Sequence, residues 1–101
     1  MNEDAFTIFE ALTLASASAF MDAHRAKRNF TENLDFSTSI PQEKWQETGE
    51  QVYAAYIDGA KLITRRLLDV AISHGYKENR FLEEVRKHAD SHHIPTPEQL
   101  V

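Results

Sequence analysis

The strongest structural signal in the chain is the run of residues 39–75, which reads SIPQEKWQETGEQVYAAYIDGAKLITRRLLDVAISHG. Its start combines a serine, Pro41 and a glutamine, residue types that favour the first turn of a helix. Gly75, preceded by a histidine, is a typical helix stop. Between these signals apolar residues recur at helical spacing, which indicates an amphipathic helix. We therefore predict one long helix over residues 41–74.

The long helix is expected to be apolar on two sides, because its apolar residues fall on two lines. One line consists of Trp45, Val52, Tyr56, Gly59, Ile63, Leu67, Val70 and His74. The other consists of Tyr53, Ile57, Ala60, Leu68 and Ile72. A helix with two apolar sides needs neighbours on both of them.

Two further helices are predicted, over residues 3–28 and 77–92. The first has acidic residues at its start and basic residues at its end, which suits the helix dipole. It also carries an alanine ridge, one alanine every four residues: Ala11, Ala15, Ala19 and Ala23. Because small side chains let helices approach closely, the ridge is predicted to pack on the long helix, with Gly59 as a contact point.

These elements predict an all-α fold, a helical bundle formed by one domain over residues 1–93. Residues 94–101 contain two prolines and are expected to form an extended tail. Residues 29–40 are rich in asparagine, serine and threonine, which compete for backbone hydrogen bonds, and are predicted to connect the first two helices without helical structure.

Self-association is expected from the length of the second helix. Its residues would span about 50 Å, whereas a compact domain of this size has a radius of gyration of about 13 Å. One chain supplies only two other helices to cover it. Either the helix breaks near Gly49, which gives a four-helix bundle, or a second copy covers its second apolar side. We expect a homodimer.

Composition narrows the possible functions of this 101-residue chain. It has no cysteine, which excludes disulfides and thiolate metal sites. Its net charge of −5 disfavours nucleic-acid binding. The apolar stretch at residues 11–21 is shorter than a membrane span and follows acidic residues, which is untypical of a signal peptide. We therefore expect a cytoplasmic protein that binds neither nucleic acid nor a membrane.

No arrangement of residues indicates nucleophilic catalysis or a cofactor. We therefore expect a non-enzyme: a protein–protein interaction module, such as a small acidic inhibitor, immunity or regulatory protein that binds a macromolecular partner, which a basic protein surface would suit. The candidate partner-binding residues are the apolar residues of the first connection and the acidic residues that open the long helix. They are Phe30, Leu34, Phe36, Glu43, Glu47 and Glu50.

The alternative hypothesis is a metal site on the third helix. Its candidate ligands follow one another at four-residue steps: Glu84, His88 and His92. Two histidines four residues apart can share one zinc ion. The zinc-protease pattern would need a glutamate directly after the first histidine, where Ala89 stands instead.

A second alternative is a metal-dependent all-α enzyme that uses Glu47 and Glu50. The segment Glu47-Thr48-Gly49-Glu50 resembles the E-x-x-E half of the magnesium site in all-α nucleotide pyrophosphatases. Carboxylates in that arrangement hold a hard cation and leave room for phosphates. The matching E-x-x-D pair of those enzymes is missing from this sequence, which leaves half of the ligand set unaccounted for.

Overall fold

The described part of the chain folds into three helices, which confirm the predicted all-α fold. A computed structural model describes the backbone of residues 3–32 and 40–101, and within these ranges the side chains from residue 8 onward. The helices are α1 (Glu3–Glu32), α2 (Gln42–Ser73) and α3 (Glu78–Ser91). They pack as a bundle, and no strand occurs in the described ranges.

Helix α1 is one turn longer than its predicted end at residue 28. The prediction was wrong about residues 29–32, which were assigned to the connection because their polar side chains compete with the backbone. Instead, the Thr31 hydroxyl donates to the Arg28 carbonyl oxygen at 3.2 Å within the helix. The Phe30 ring lies 6.1 Å from the Trp45 ring. A tertiary contact with α2 therefore accompanies the additional turn.

Helix α2 is continuous, so Gly49 does not break it. Gly49 is buried against α1: a Cβ atom there would lie 3.4 Å from the Phe30 Cβ and 3.6 Å from the Lys27 carbonyl oxygen. A Cβ built at Gly59 would meet no described atom within 4 Å outside its own stretch of helix, so the predicted close contact with the alanine ridge gains no support.

The predicted stop at Gly75 is confirmed. Gly75 has a φ of +89°, a conformation that glycine adopts without steric cost. The chain reverses there, and the Tyr76 amide donates to the Ala71 carbonyl oxygen at 3.0 Å. This hydrogen bond satisfies one of the carbonyl groups that every helix end leaves without a partner.

Helices α1 and α2 run antiparallel, and α3 packs mainly against α1. The α2 residues buried in this contact are Gly49, Ile57, Ala60, Thr64, Leu68 and Ala71. The Phe9 ring of α1 lies 4.7 Å from the Tyr76 ring and 6.4 Å from the Phe81 ring. This aromatic cluster joins α3 to the hairpin formed by α1 and α2.

The alanine ridge does not pack along its whole length as predicted. Ala23 is fully buried, but Ala19 is half-buried and both Ala11 and Ala15 are exposed. An α-helix has 3.6 residues per turn, so a line drawn through every fourth residue drifts around the helix. The four alanines therefore pass from the core to the surface.

Residues 94–101 contain no helix, yet they are part of the packed structure. Leu100 is buried in the hydrophobic core. The Arg86 guanidinium donates to the Thr96 hydroxyl at 2.7 Å and to the Glu98 carbonyl oxygen at 3.0 Å. His24 Nε2 lies 3.0 Å from the Pro95 carbonyl oxygen. The tail thus connects α3 back to α1.

The molecule is elongated, with extents of 60 × 19 × 17 Å and a radius of gyration of 16.4 Å. A compact domain of this length would have a radius of about 13 Å. In a molecule this elongated, a large part of each helix surface faces away from the core.

Candidate interaction surface

One side of α2 presents large apolar side chains to solvent. Tyr56 is 50% exposed, Ile63 is 45% exposed and Val70 is 40% exposed. They are seven residues apart, so all three lie along one side of the helix. The buried residues of α2 lie on the neighbouring side of the helix. Tyr56, Ile63 and Val70 belong to the first of the two apolar lines in the sequence, whose Leu67 packs against the core.

The neighbouring side of α1 carries mostly small residues. Ile8, Ala11 and Ala15 are exposed, and Ala19 is half-buried. Their spacings of three and four place them on one side of α1. We call the combined surface the open face; it consists of Ile8, Ala11, Ala15 and Ala19 of α1 and Tyr56, Ile63 and Val70 of α2.

A groove of about 360 Å³ runs between the two helices within the open face. Its lining is Ala19, Asp22, Ala55, Tyr56, Gly59, Ala60 and Ile63. Gly59 leaves space here because it has no side chain, and the Tyr56 and Ile63 side chains stand beside that space. Helix α3 packs on the other side of α1, so none of the described elements covers this groove.

The predicted apolar binding residues are only partly described. Phe30 is half-buried at the end of α1, where its ring packs beside Trp45. Leu34 and Phe36 lie outside the described residues. The Phe30 ring therefore already has a contact within the chain, which leaves it less surface for a partner than the sequence suggested.

The predicted acidic residues lie along the first turns of α2. Glu43 and Glu47 are exposed. Glu50 Oε1 lies 2.7 Å from Lys27 Nζ, and the Lys27 ammonium is also 5.2 Å from the Tyr53 ring centroid. Such surface ion pairs contribute at most about 1 kcal/mol. We call Glu43, Glu47 and Glu50 the acidic edge. This edge is accessible, and its Glu50 is paired with Lys27 of α1.

The candidate metal ligands either lie apart from one another or contact groups other than a shared metal position. Glu84 Oε1 pairs with Lys87 Nζ at 3.6 Å. His92 Nδ1 lies 3.1 Å from the His88 carbonyl oxygen. Across the described part of the chain, no three histidine, aspartate or glutamate side chains are arranged to hold a metal ion. The hypotheses based on Glu84, His88 and His92, or on Glu47 and Glu50, gain no geometric support.

Comparison of the chain with protein-family models, curated proteins and solved structures gives no match. None of the described helices combines the length and apolarity needed to cross a bilayer. The case for a function therefore depends on the surfaces of this chain itself.

Sequence reasoning identified both apolar lines of α2 but did not select the open face as a site. The signal was the first line, whose members include Tyr56, Ile63 and Val70. Periodicity shows that two lines exist, but it does not show which of them the other helices bury.

Proposed function

We propose that this chain is a non-enzymatic protein–protein interaction module that binds a macromolecular partner through the open face. The observation that carries the proposal is the row formed by Tyr56, Ile63 and Val70, each at least 40% exposed on one side of α2. Single exposed apolar residues are common, but a contiguous patch of them marks interaction surfaces.

The chemistry of the open face suits a helical partner. Apolar side chains at helical spacing along a groove are the features by which proteins bind an amphipathic helix. Tyr56 supplies a large side chain with few rotatable bonds, and tyrosine is among the residues that contribute most to interface affinity. The small residues of α1 allow a partner helix to approach the backbone closely.

The acidic edge supplies a second element of the proposal. Glu43 and Glu47 are exposed at the start of α2, and the chain carries a net charge of −5. Charges at the rim of an interface mainly raise the association rate with an oppositely charged partner. A regulatory, inhibitory or immunity function would use the open face for affinity and the acidic edge for steering.

The test is affinity capture from the cells that produce the protein, with two matched variants. Ile63→Asp places a charge in the open face. Ile72→Asp places the same charge at an isoleucine of similar exposure, 50% against 45%, on another side of α2. We expect the wild type and Ile72→Asp to retain the same specific protein, either a second copy or a different chain, and Ile63→Asp to lose it.

Circular dichroism would establish that both variants remain helical. If Ile63→Asp retains every protein that the wild type retains, the open face is not the binding surface and the proposal fails. Replacing Glu43 and Glu47 with lysine should slow association with a basic partner, and salt should reduce the difference.

A further inference from the structure

We infer that the partner of the open face is a second copy of this chain, packed about a twofold axis that runs along the helices. This inference rests on the proposed function and names the occupant of the same surface. In this arrangement α2 of one copy lies over α1 of the other. The two α1–α2 hairpins then stack face to face as a four-helix bundle, with the two α3 helices on its outer sides.

The shape of the open face favours a second copy. The open face contains both halves of a complementary contact: a row of large side chains on α2 and a row of mostly small ones on α1. A twofold axis along the helices places the large row of each copy over the small row of the other. The groove of about 360 Å³ beside Gly59 offers room for a side chain inserted from the other copy, such as its Ile63. Self-complementarity of one patch is what a twofold interface requires.

Helix direction is compatible with this arrangement. Because α1 and α2 are antiparallel within a chain, an axis along the helices also makes α1 antiparallel to α2 of the other copy. Every neighbouring pair in the bundle is then antiparallel, as in four-helix bundles. The alternative axis, across the helices, would also give antiparallel neighbours, but it would place the large row against itself and the small row against itself.

Charge does not prevent this pairing, although each copy carries a net charge of −5. The residues of the open face are uncharged, and Asp22 at its edge pairs with Arg25 at 3.4 Å. An axis along the helices brings the acidic edges of both copies to the same end of the dimer. Glu50 pairs with Lys27 there at 2.7 Å, so like-charge contact is confined to Glu43 and Glu47 at that end, away from Ile63.

The area depends on how far the contact extends along the hairpin. The open face covers residues 8–19 of α1 and 56–70 of α2, roughly 20 Å of helix, which gives a footprint of roughly 400 Å² over two adjacent helices. A contact along all 30 residues of α1 would give roughly 900 Å², and a stable interface buries about 800 Å² on each partner. The inferred dimer therefore requires contact along most of the hairpin, beyond the open face.

The first test is the molar mass in solution, measured by light scattering over a concentration series. We expect twice the 11.6 kDa of one chain at tens of micromolar. Ile63→Asp should raise the dimer dissociation constant by about a hundredfold or more, because both copies carry the change. Ile72→Asp should leave it within about threefold of the wild type.

The second test is cysteine cross-linking, for which the cysteine-free chain is a clean background. Ala15→Cys and Ile63→Cys are made in separate chains, mixed and oxidised. We expect the mixture to form a disulfide-linked pair faster than either variant alone. Ala15→Cys mixed with Ile72→Cys is the control and should remain uncross-linked. This test does not depend on Ile63→Asp remaining folded.

A wild type that stays monomeric at about 100 µM would overturn the inference. A dimer that tolerates Ile63→Asp, or one in which Ala15→Cys links mainly to itself, would overturn it too. The proposed function is judged separately by capture: a different protein lost only from Ile63→Asp would support it even if the chain is monomeric. A monomeric chain whose captured proteins are unaffected by Ile63→Asp would refute both.

Discussion

The hydroxyl groups of Ser16 and Thr64 hydrogen-bond to each other at the centre of the contact between α1 and α2. Both residues are fully buried, so their pairing satisfies polar groups that water does not reach. The pair also defines how the two helices are aligned along their length. Shifting one helix by a turn would separate the hydroxyls and leave both without this partner.

Thr64→Val should destabilise the protein by about 1–3 kcal/mol, because it leaves the buried Ser16 hydroxyl without its partner. Adding Ser16→Ala removes that hydroxyl and should restore part of the loss. Urea unfolding of the two single variants and the double variant measures the coupling, which we expect to be about 1 kcal/mol. Strictly additive effects would show that the hydrogen bond contributes nothing to stability.

Gly59→Ala should raise the free energy of unfolding by about 0.5–1 kcal/mol, because alanine favours the helix and no described atom opposes its Cβ. The measurement should be made on dilute protein, where self-association has little influence. Gly75→Ala is the opposing case: with a φ of +89°, alanine there should cost about 1–2 kcal/mol. Loss of stability in Gly59→Ala would mean that its site is occupied within a single chain.

Leu100→Ala should reduce the free energy of unfolding by about 2–3 kcal/mol, since it removes a buried side chain from the core. Arg86→Ala should also destabilise the protein, because its guanidinium holds the tail through Thr96 and Glu98. Lys87→Ala on the same helix is the matched control and should change stability by less than about 1 kcal/mol. Equal effects of Arg86→Ala and Lys87→Ala would contradict a stabilising function of the tail.

Zinc and magnesium ions should leave the melting temperature unchanged. The described residues contain no cluster of three possible metal ligands, so we expect no metal ion to bind. An ion that bound only the folded state would raise the melting temperature as the ion concentration increased. Thermal denaturation of the wild type and of His88→Ala, each with and without added ion, provides the measurement. A concentration-dependent increase that His88→Ala abolishes would instead support the metal hypothesis.

The helices themselves follow from the sequence. The proline start and glycine stop place α2 within one residue at each end of its observed range, and α3 is equally well placed. These signals act through neighbouring residues along the chain, so no tertiary contact is needed to read them. The end of α1 lies one turn beyond its predicted position, where a residue distant in sequence, Trp45, packs beside Phe30.

Only the tertiary structure decides which surfaces are buried. Periodicity places two apolar lines on α2. The packing of α1 and α3 buries Ile57, Ala60 and Leu68 of one line but leaves Ile72 of that line exposed. Tyr56, Ile63 and Val70 of the other line are exposed, whereas its Leu67 packs against the core. The two helical glycines likewise have different surroundings, with Gly49 at the close contact and Gly59 in the open groove. Local sequence determines helix formation through backbone geometry and side-chain spacing, whereas burial depends on residues that are far apart in the chain.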